Sequence, residues 1–298
     1  MRIAVFGNPT IDEIRHDGNV IVVPGGSSVY VSAASAYLGA RVDLVGNVGS
    51  DYPGAALRQL KKAGVNVDSV RHSGASTTKF ELTYRDSSRR MRVLHAGERI
   101  SAESVKGTWH AAHFCPVFGE VDRSMVLRLR HHSQFVSLDL QGFVRGRQRD
   151  GSVRLVRSNL APILRVSRAV KASLEEAMVQ TGKRNPFHAA KALLASGPKY
   201  AIVTLAGKGA ALAVKQGGLF RIPAYPEKVV VDPTGAGDGF VGAWLSTMLS
   251  TWDPVWAASV GAALASLMLR RHGIGKFRLS RQELFRRSSW VYRNVRRQ

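Results

Sequence analysis

Short apolar runs that end at glycine or proline alternate along the chain with longer stretches of helical periodicity. The runs at residues 3–6, 20–23 and 42–45 each predict a buried strand. Small and apolar residues at 27–38, followed directly by glycine, predict a helix between the second and third of these strands. Strands and helices that alternate at such short spacing are typical of a mainly parallel sheet built from crossover connections.

A different pattern interrupts this one near residue 80. Polar and apolar positions alternate at 78–84, the pattern resumes at 91–94, and the turn-like segment 85–90 joins the two, which predicts a β-hairpin. The strand and helix pattern then returns, with further predicted strands at about 113–115, 135–140, 169–171 and 201–205 and a second hairpin at 211–222. No internal repeat or low-complexity linker divides the chain, so we expect one domain over residues 1–298.

The net charge limits the kinds of molecule that the protein is expected to bind. Lysine and arginine number 43 against 21 aspartates and glutamates, a net charge of +22. Such a field attracts anions, among them nucleotides, phosphorylated metabolites and nucleic acid. The basic residues are densest at 270–298 but form no single tract. This distribution favours a solvated or partner-facing surface over a dedicated nucleic-acid site.

Cysteine content and hydropathy indicate the compartment. The single cysteine, Cys115, cannot form an internal disulfide, and a reducing cytoplasm is therefore the expected location. The longest apolar run, at 255–269, is short for a membrane span, and no apolar signal-peptide region fits the first residues. We expect no membrane partner.

The strongest chemical signal lies at residues 229–240. A β-branched run at 229–231 predicts a strand, a glycine turn follows it, and a helix is expected from about 238 to 248. Glycines let backbone amides converge on an anion, and a helix N-terminus adds partial positive charge. Asp238 would repel a phosphate by itself. It fits there either as the group that orients a hydroxyl nucleophile or as a helix N-cap, and the spacing alone favours neither.

The segment 232–238, with Gly235, Ala236 and Gly237 before Asp238, resembles the C-terminal signature of the PfkB/ribokinase family of small-molecule kinases. The double glycine at 25–26, the helix after it and the glycine-rich segment 46–54 resemble the N-terminal signature, and 204–209 follows in the expected order. The resemblance implies a ribokinase-like α/β fold: a three-layer α/β/α sandwich with a mainly parallel central sheet and a small β lid. It assigns the lid to about residues 10–23 and 75–96.

The resemblance also implies roles for single residues and for bound groups. It implies a catalytic base at Asp238 with an anion hole at Gly235, Ala236 and Gly237, acceptor contacts at Asp12, Gly25 and Gly26, and nucleotide contacts at Thr204, Gly207 and Gly209. ATP and Mg²⁺ are the implied cofactors, and some members bind a monovalent cation such as K⁺ where Asp232 and Thr234 lie. A homodimer through the lid is a further implied partner.

Departures from the family pattern point to one branch. Tyr30 stands where many sugar kinases carry asparagine, and Ser173 replaces the asparagine of a motif whose Glu176 is kept for Mg²⁺ held through water. With Gln141 and Arg145 after a central strand, these features resemble the myo-inositol kinase branch, in which Tyr30, Gln141 and Arg145 would contact the acceptor. A core aromatic remains the alternative for Tyr30, and a surface ion pair the alternative for Arg145.

These observations predict an ATP-dependent kinase that phosphorylates a hydroxyl of a small polyol or sugar, with myo-inositol as the favoured acceptor. A ribokinase-like sugar, sugar-phosphate or nucleoside kinase is the alternative within the same class. A basic nucleic-acid-binding protein on a kinase scaffold is the alternative from another class, supported by the net charge of +22 but by no stacking platform or base-reading motif.

Overall fold

A computed structural model describes residues 1–16, 19–74, 76–85 and 88–298 of the chain. The predicted lid ranges and hairpin turn include 17, 18, 75, 86 and 87, which lie outside the described residues. The strands are β1 (Arg2–Phe6), β2 (Thr10–His16), β3 (Asn19–Gly25), β4 (Arg41–Val48), β5 (Val65–Asn66), β6 (Val70–His72), β7 (Thr78–Arg85), β8 (Ser88–His95), β9 (Trp109–Phe114), β10 (Ser133–Asp139), β11 (Arg145–Arg147), β12 (Val153–Leu155), β13 (Ala169–Ser173), β14 (Tyr200–Thr204), β15 (Ala210–Val214), β16 (Gly218–Ile222) and β17 (Arg296–Arg297). The α-helices are α1 (Ser27–Tyr37), α2 (Gly54–Lys62), α3 (Arg123–Leu129), α4 (Ala161–Val166), α5 (Leu174–Thr181), α6 (Pro186–Ala195), α7 (Ala236–Thr251), α8 (Pro254–Met268) and α9 (Arg281–Arg293).

One large sheet forms the middle layer. Within the described residues its strands run in the order β17-β16-β15-β14-β13-β10-β9-β1-β4-β5, and β6 also pairs with β4. All pairings from β14 to β5 are parallel, and the antiparallel strands β15, β16 and β17 complete one edge. The mainly parallel sheet expected from the alternating pattern is confirmed.

Helices cover both faces of this sheet. On β1 the side chains of Ile3 and Val5 point into one apolar core, which also contains Trp244 of α7 and Leu264 of α8. Alternate β1 residues such as Phe6 point into the other core, packed under α3 to α6. A strand buried on both faces explains the unbroken apolar runs of the sequence. The predicted three-layer sandwich is therefore confirmed.

A small separate sheet contains the strands β3, β2, β7 and β8, in that order. β2 pairs parallel with β7, and the outer pairings are antiparallel. Phe80, Leu82 and Val93 form a minor apolar cluster on it with Val117 of the main body. No helix among the described residues is long and apolar enough to cross a membrane.

The strand predicted at 229–231 is wrong. This segment lies beyond the sheet, where the backbone N–H groups of Val231 and Asp232 donate to the carbonyl of Leu269 at 2.8 and 3.1 Å instead of to a strand. The three valines are about half exposed. These β-branched residues form an extended connection and not a strand. The preceding strand β16 already pairs with β15 and β17, so it offers no free edge to them. The helix expected from 238 begins earlier, at Ala236, and ends at Thr251.

Candidate active site

A cleft of ≈ 1930 Å³ lies between the small sheet and the carboxyl ends of the parallel strands. This is where ligands bind in open α/β sheets, and the volume exceeds the roughly 300–1,000 Å³ usual for one small ligand. The cleft therefore has room for an acceptor and a donor together. The predicted residues that line it are Asp12, Gly26, Tyr30, Gln141, Arg145, Ser173, Glu176, Thr204, Gly207, Gly209, Thr234, Gly235, Ala236, Gly237 and Asp238.

The glycine turn occupies the middle of the cleft. Gly235 is the N-cap of α7 and adopts a left-handed backbone at φ 76°, and a methyl group there would lie 2.5 Å from the ring of Tyr30. Only glycine tolerates both conditions without strain. At the N-terminus of α7 the Ala236 N–H donates to the carbonyl of Pro233 at 3.2 Å. The amides of Gly237 and Asp238 that follow, beside an aromatic wall, suit the binding of an anion.

Asp238 is the third residue of α7 and is not its N-cap. Its Oδ1 accepts a hydrogen bond of 2.7 Å from the hydroxyl of Ser27, the first residue of α1. This contact fixes one carboxylate oxygen. The helical position removes the N-cap explanation and leaves the carboxylate in the cleft. Sequence reasoning missed Ser27, although its place directly after the double glycine was a usable signal.

A buried ion pair lies behind the turn. Lys171 Nζ donates to Asp139 Oδ2 at 2.8 Å, and both side chains are almost completely buried. A methyl group at Gly237 would lie 3.6 Å from Lys171 Nζ, so the ammonium is close to the glycine turn. Burial alone would lower the pKa of Lys171, but the nearby carboxylates of Asp139, Glu176 and Asp238 raise it overall. The group is a permanent cation beside the candidate anion hole. A lysine at the end of the apolar strand predicted at 169–171 was a signal of this cation that the sequence analysis missed.

We call the end of the cleft next to the small sheet the acceptor end, after the acceptor contact predicted for Asp12 on β2. Its Oδ1 accepts a hydrogen bond of 2.8 Å from Thr10 Oγ1. Gly25 lies on β3, paired with Thr10 of β2, and a methyl group at Gly25 would lie 2.3 Å from Asp12 Oδ2. Gly25 thus makes room for the carboxylate, and it is the side chain of Asp12 that lines the cleft.

Tyr30, Gln141 and Arg145 complete this end. Tyr30 is 2% exposed and packs in the core while it also lines the cleft, and its contact with the acceptor stays a prediction. Burial and the charges of Asp12, Asp232 and Asp238 raise the pKa of Tyr30, which keeps the phenol protonated. Arg145 donates to the carbonyl of Val117 at 3.0 Å.

Ser173 and Glu176 form a capping box at the start of α5. The Ser173 hydroxyl accepts from the Glu176 N–H at 3.3 Å, and Glu176 Oε2 accepts from the Ser173 N–H at 2.8 Å. This reciprocal pair explains a serine followed three residues later by a glutamate. Both residues line the cleft, and a role in binding metal or phosphate stays a prediction.

The described part of the chain holds no group of three or more histidine, cysteine, aspartate or glutamate side chains arranged for a metal ion. Glu176 lies within reach of the cleft beside Lys171 and the glycine turn. One carboxylate fits a Mg²⁺ ion whose other ligands are water and donor phosphates, which is how this ion is usually held.

The other end of the cleft extends beyond the glycine turn, and we call it the donor end, after the nucleotide contacts predicted there. On one side it is lined by the loop after β14, where Gly209 adopts φ 92° and a methyl group would overlap the carbonyl of Ile222. Val230, Ala262 and Leu269 line it with apolar surface. The cleft thus offers a hydrophobic wall next to a phosphate-sized anion hole.

Asp232 and Thr234 lie at the base of the glycine turn, and Asp232 does not reach the cleft lining. Their backbone carbonyls, and the carboxylate of Asp232, accept hydrogen bonds from the buried ammonium of Lys276. The predicted oxygens therefore do come together, around a group that the sequence analysis did not single out.

Comparison with known proteins gives consistent similarities. The profile of the pfkB family carbohydrate kinase matches residues 3–279. A cytidine kinase of Thermococcus kodakarensis is 27% identical over 82% of this chain and 87% of its own, and an inositol 3-kinase of Oryza sativa subsp. japonica is 25% identical over 92% and 69%. A pyrophosphate-dependent kinase in the ribokinase family, solved with a pyrophosphate analog and myo-inositol, superposes with a TM-score of 0.83 at 22% identity, over 95% of this chain and 99% of that one.

Proposed function

This chain belongs to the pfkB family of carbohydrate kinases, and we propose that it transfers the γ-phosphoryl group of ATP to a hydroxyl of myo-inositol. One observation carries the proposal. The Asp238 carboxylate, the first amides of α7 and the Lys171 ammonium meet at the boundary between the acceptor and donor ends of a single cleft. A general base, an anion hole and a fixed cation are the groups that in-line phosphoryl transfer uses.

In the proposed reaction an acceptor oxygen forms a bond to the γ-phosphorus as the bond from that phosphorus to the bridging oxygen breaks. The acceptor proton passes to Asp238, and ADP leaves with the bridging oxygen. Ser27 holds one oxygen of Asp238 and thereby directs the other toward the acceptor. The amides of α7 and Lys171 stabilise charge on the transferring group, and Asp139 keeps Lys171 in place.

A divalent metal bound with the donor neutralises phosphate charge, and Glu176 would hold it through water. The apolar wall formed by Val230, Ala262 and Leu269 supports a nucleotide donor, because a base can pack there. Pyrophosphate alone has no group that would use this wall. Donor choice is therefore part of the proposal, and pyrophosphate is a separate arm of its test.

The acceptor proposal depends on the polar groups at the small-sheet end. Asp12, Gln141 and Arg145 surround this end, and Tyr30 keeps its phenolic proton there. A ring that carries a hydroxyl on every carbon could bind several of these groups at once. The similarity to an inositol 3-kinase over 92% of this chain supports the same choice.

Nucleoside phosphorylation is the second candidate. Leu82, Met91 and Val153 add apolar surface to the acceptor end, where a nucleobase would find a better partner than a polyol would. The similarity to a cytidine kinase over 82% of this chain favours the same alternative.

The test is phosphoryl transfer by the purified chain to myo-inositol, ribose, fructose and cytidine, with ATP or pyrophosphate as donor and Mg²⁺ present. We expect the highest kcat/KM with ATP and myo-inositol. In Asp238→Asn we expect kcat to fall by about 10²–10⁴, the usual contribution of a general base, with the thermal unfolding temperature unchanged.

The matched control is Asp253→Asn, which changes the N-cap of α8, where asparagine also caps well. This control should keep wild-type kcat. A preference for cytidine would support the second candidate and remove the inositol assignment. Normal turnover in Asp238→Asn would remove the proposed mechanism.

A further inference from the structure

A lysine with no solvent-exposed surface lies beneath the glycine turn. Lys276 belongs to a short 3₁₀ turn, Gly273–Phe277, that follows α8, and its side chain is 0% exposed. Its Nζ lies 2.9 Å from the carbonyl oxygen of Asp232, 2.5 Å from that of Thr234 and 3.0 Å from Asp232 Oδ2. The ammonium therefore has three oxygen partners on one short segment, two of them neutral and one charged.

Such a set of oxygens is a cation site. Backbone carbonyls that converge inside a protein repel one another unless a positive group lies between them, and a buried ammonium is stable only when it is paired. The Tyr30 ring covers the site, with its centroid 5.7 Å from Lys276 Nζ. Asp232 and Thr234 are also the residues at which the family resemblance implies a monovalent cation. An ion bound there would have to displace the ammonium, so these residues do not fit a separate ion.

We propose that the Lys276 ammonium is a tethered substitute for a monovalent cation, and that phosphoryl transfer by this enzyme is consequently independent of K⁺. The inference rests on the proposed function, because it concerns the loop that forms the anion hole. Thr234 is joined directly to Gly235, whose left-handed conformation starts α7. By fixing the Thr234 carbonyl, Lys276 orients the peptide group that leads into the catalytic amides. Lys276 is thus a positioning residue.

The first measurement is a KCl titration of the wild-type enzyme in potassium-free buffer, with choline chloride holding the ionic strength constant. The expected result is a kcat that does not change with K⁺. A several-fold stimulation by K⁺ in an active enzyme would overturn the inference and leave the proposed function intact. Failure of the wild type to phosphorylate any acceptor would instead count against the proposed function. Because this measurement uses the wild-type enzyme alone, its outcome does not depend on whether a variant folds.

The second measurement uses Lys276→Ala, which opens a space at the three oxygens, and Lys276→Met, which fills it with an uncharged chain. In the absence of K⁺ both variants should lose about 10²-fold in kcat, as expected when catalytic groups shift by about 1 Å, while the acceptor KM stays unchanged. K⁺ should restore activity to Lys276→Ala and not to Lys276→Met. It should also raise the thermal unfolding temperature of Lys276→Ala alone, a readout that does not depend on turnover.

Lys183→Ala, a change at an exposed lysine, is the matched control and should behave as the wild type does. Full activity of Lys276→Ala without K⁺ would overturn the proposal. So would a folded Lys276→Ala protein that is inactive and that no monovalent cation restores, because Lys276 would then be a structural residue only.

Discussion

Lys171 shows how one side chain links the fold to the chemistry. It is the central residue of β13, its ammonium donates to Asp139, and it lies close to Gly237 of the glycine turn. A lysine is costly to bury, and Asp139 offsets that cost only because the two charges are in direct contact. The arrangement keeps a positive charge within the cleft whether or not a ligand is present.

At the residue scale we therefore predict separate effects on rate and stability. Lys171→Met should lower kcat by about 10²–10³-fold, as loss of one charge-stabilising group usually does, and should lower the unfolding temperature because Asp139 stays buried without its partner. The double variant Lys171→Met/Asp139→Asn should regain thermal stability but not turnover. Steady-state kinetics and thermal unfolding of the three proteins test this, and wild-type kcat in the double variant would contradict it.

Among the elements, α9 and the connection before α7 depend on one network of charges. Arg287 is 1% exposed, and it donates to Glu227 at 2.7 Å and to Glu283 at 2.8 Å. Its guanidinium lies 4.4 Å from the ring of Tyr225, and Glu227 also accepts from Arg270 at 2.8 Å. Part of the basic C-terminal segment, expected to be a solvated or partner-facing surface, is therefore a buried support for the wall of the donor end.

This network predicts sensitivity to acid. Burial would raise the pKa of Glu227, but hydrogen bonds from Arg287 and Arg270 outweigh it and hold the pKa at about 2, below the ordinary 4.5. A carboxylate with a lowered pKa contributes its full stability above pH 4.5 and loses it as the pH falls toward 2. Glu227→Gln should cost about 2 kcal/mol near pH 7, as for a hydrogen bond to a charged group, and should flatten the loss of stability between pH 5 and 2.

Thermal unfolding over this pH range is the measurement, with the exposed Glu98 as control. Glu98→Gln should reproduce the wild-type profile. If Glu227→Gln lost stability in acid as steeply as the wild type does, Glu227 would not be a source of the acid sensitivity.

The same elements show what the sequence could and could not provide. The role of glycines such as Gly235 could be predicted, because a left-handed backbone conformation favours glycine and the residue type therefore indicates it. The strand predicted from the valines at 229–231 was wrong, because the residue composition of a segment does not show whether a neighbouring strand is available to pair with it. The contacts of Ser27 with Asp238 and of Lys276 with Thr234 could not be predicted, because these partners are 211 and 42 residues apart and meet only in the folded chain.

At the scale of the whole molecule, one edge of the small sheet has no partner strand among the residues that the structure describes. Val20, Ile21 and Val22 of its outer strand β3 are 47%, 56% and 59% exposed. Successive side chains of a strand point to opposite faces, so apolar surface is open on both sides of an edge that can still pair. A second copy of the chain is the partner that the sequence analysis implied, and this edge is where we place it.

We predict a dimer by sedimentation or light scattering at micromolar concentration, and a monomer for Ile21→Arg because the charge would be buried in the pairing edge. Val229→Arg, which alters an exposed valine outside either sheet, should remain a dimer. A monomeric wild type across the concentration range would contradict the prediction.

The packing of α1 against α7 has a consequence for how this enzyme could be altered. Gly242 of α7 is so close to α1 that a methyl group there would lie 2.5 Å from the carbonyl of Val31, and Ser35 bonds the Gly242 carbonyl at 3.1 Å. Both helices carry groups of the proposed reaction centre, and such contact makes them one rigid block. The small sheet is outside that block. A library of substitutions confined to the small sheet could change the acceptor preference and leave the groups proposed for phosphoryl transfer unaltered. The scaffold is therefore modular for enzyme engineering.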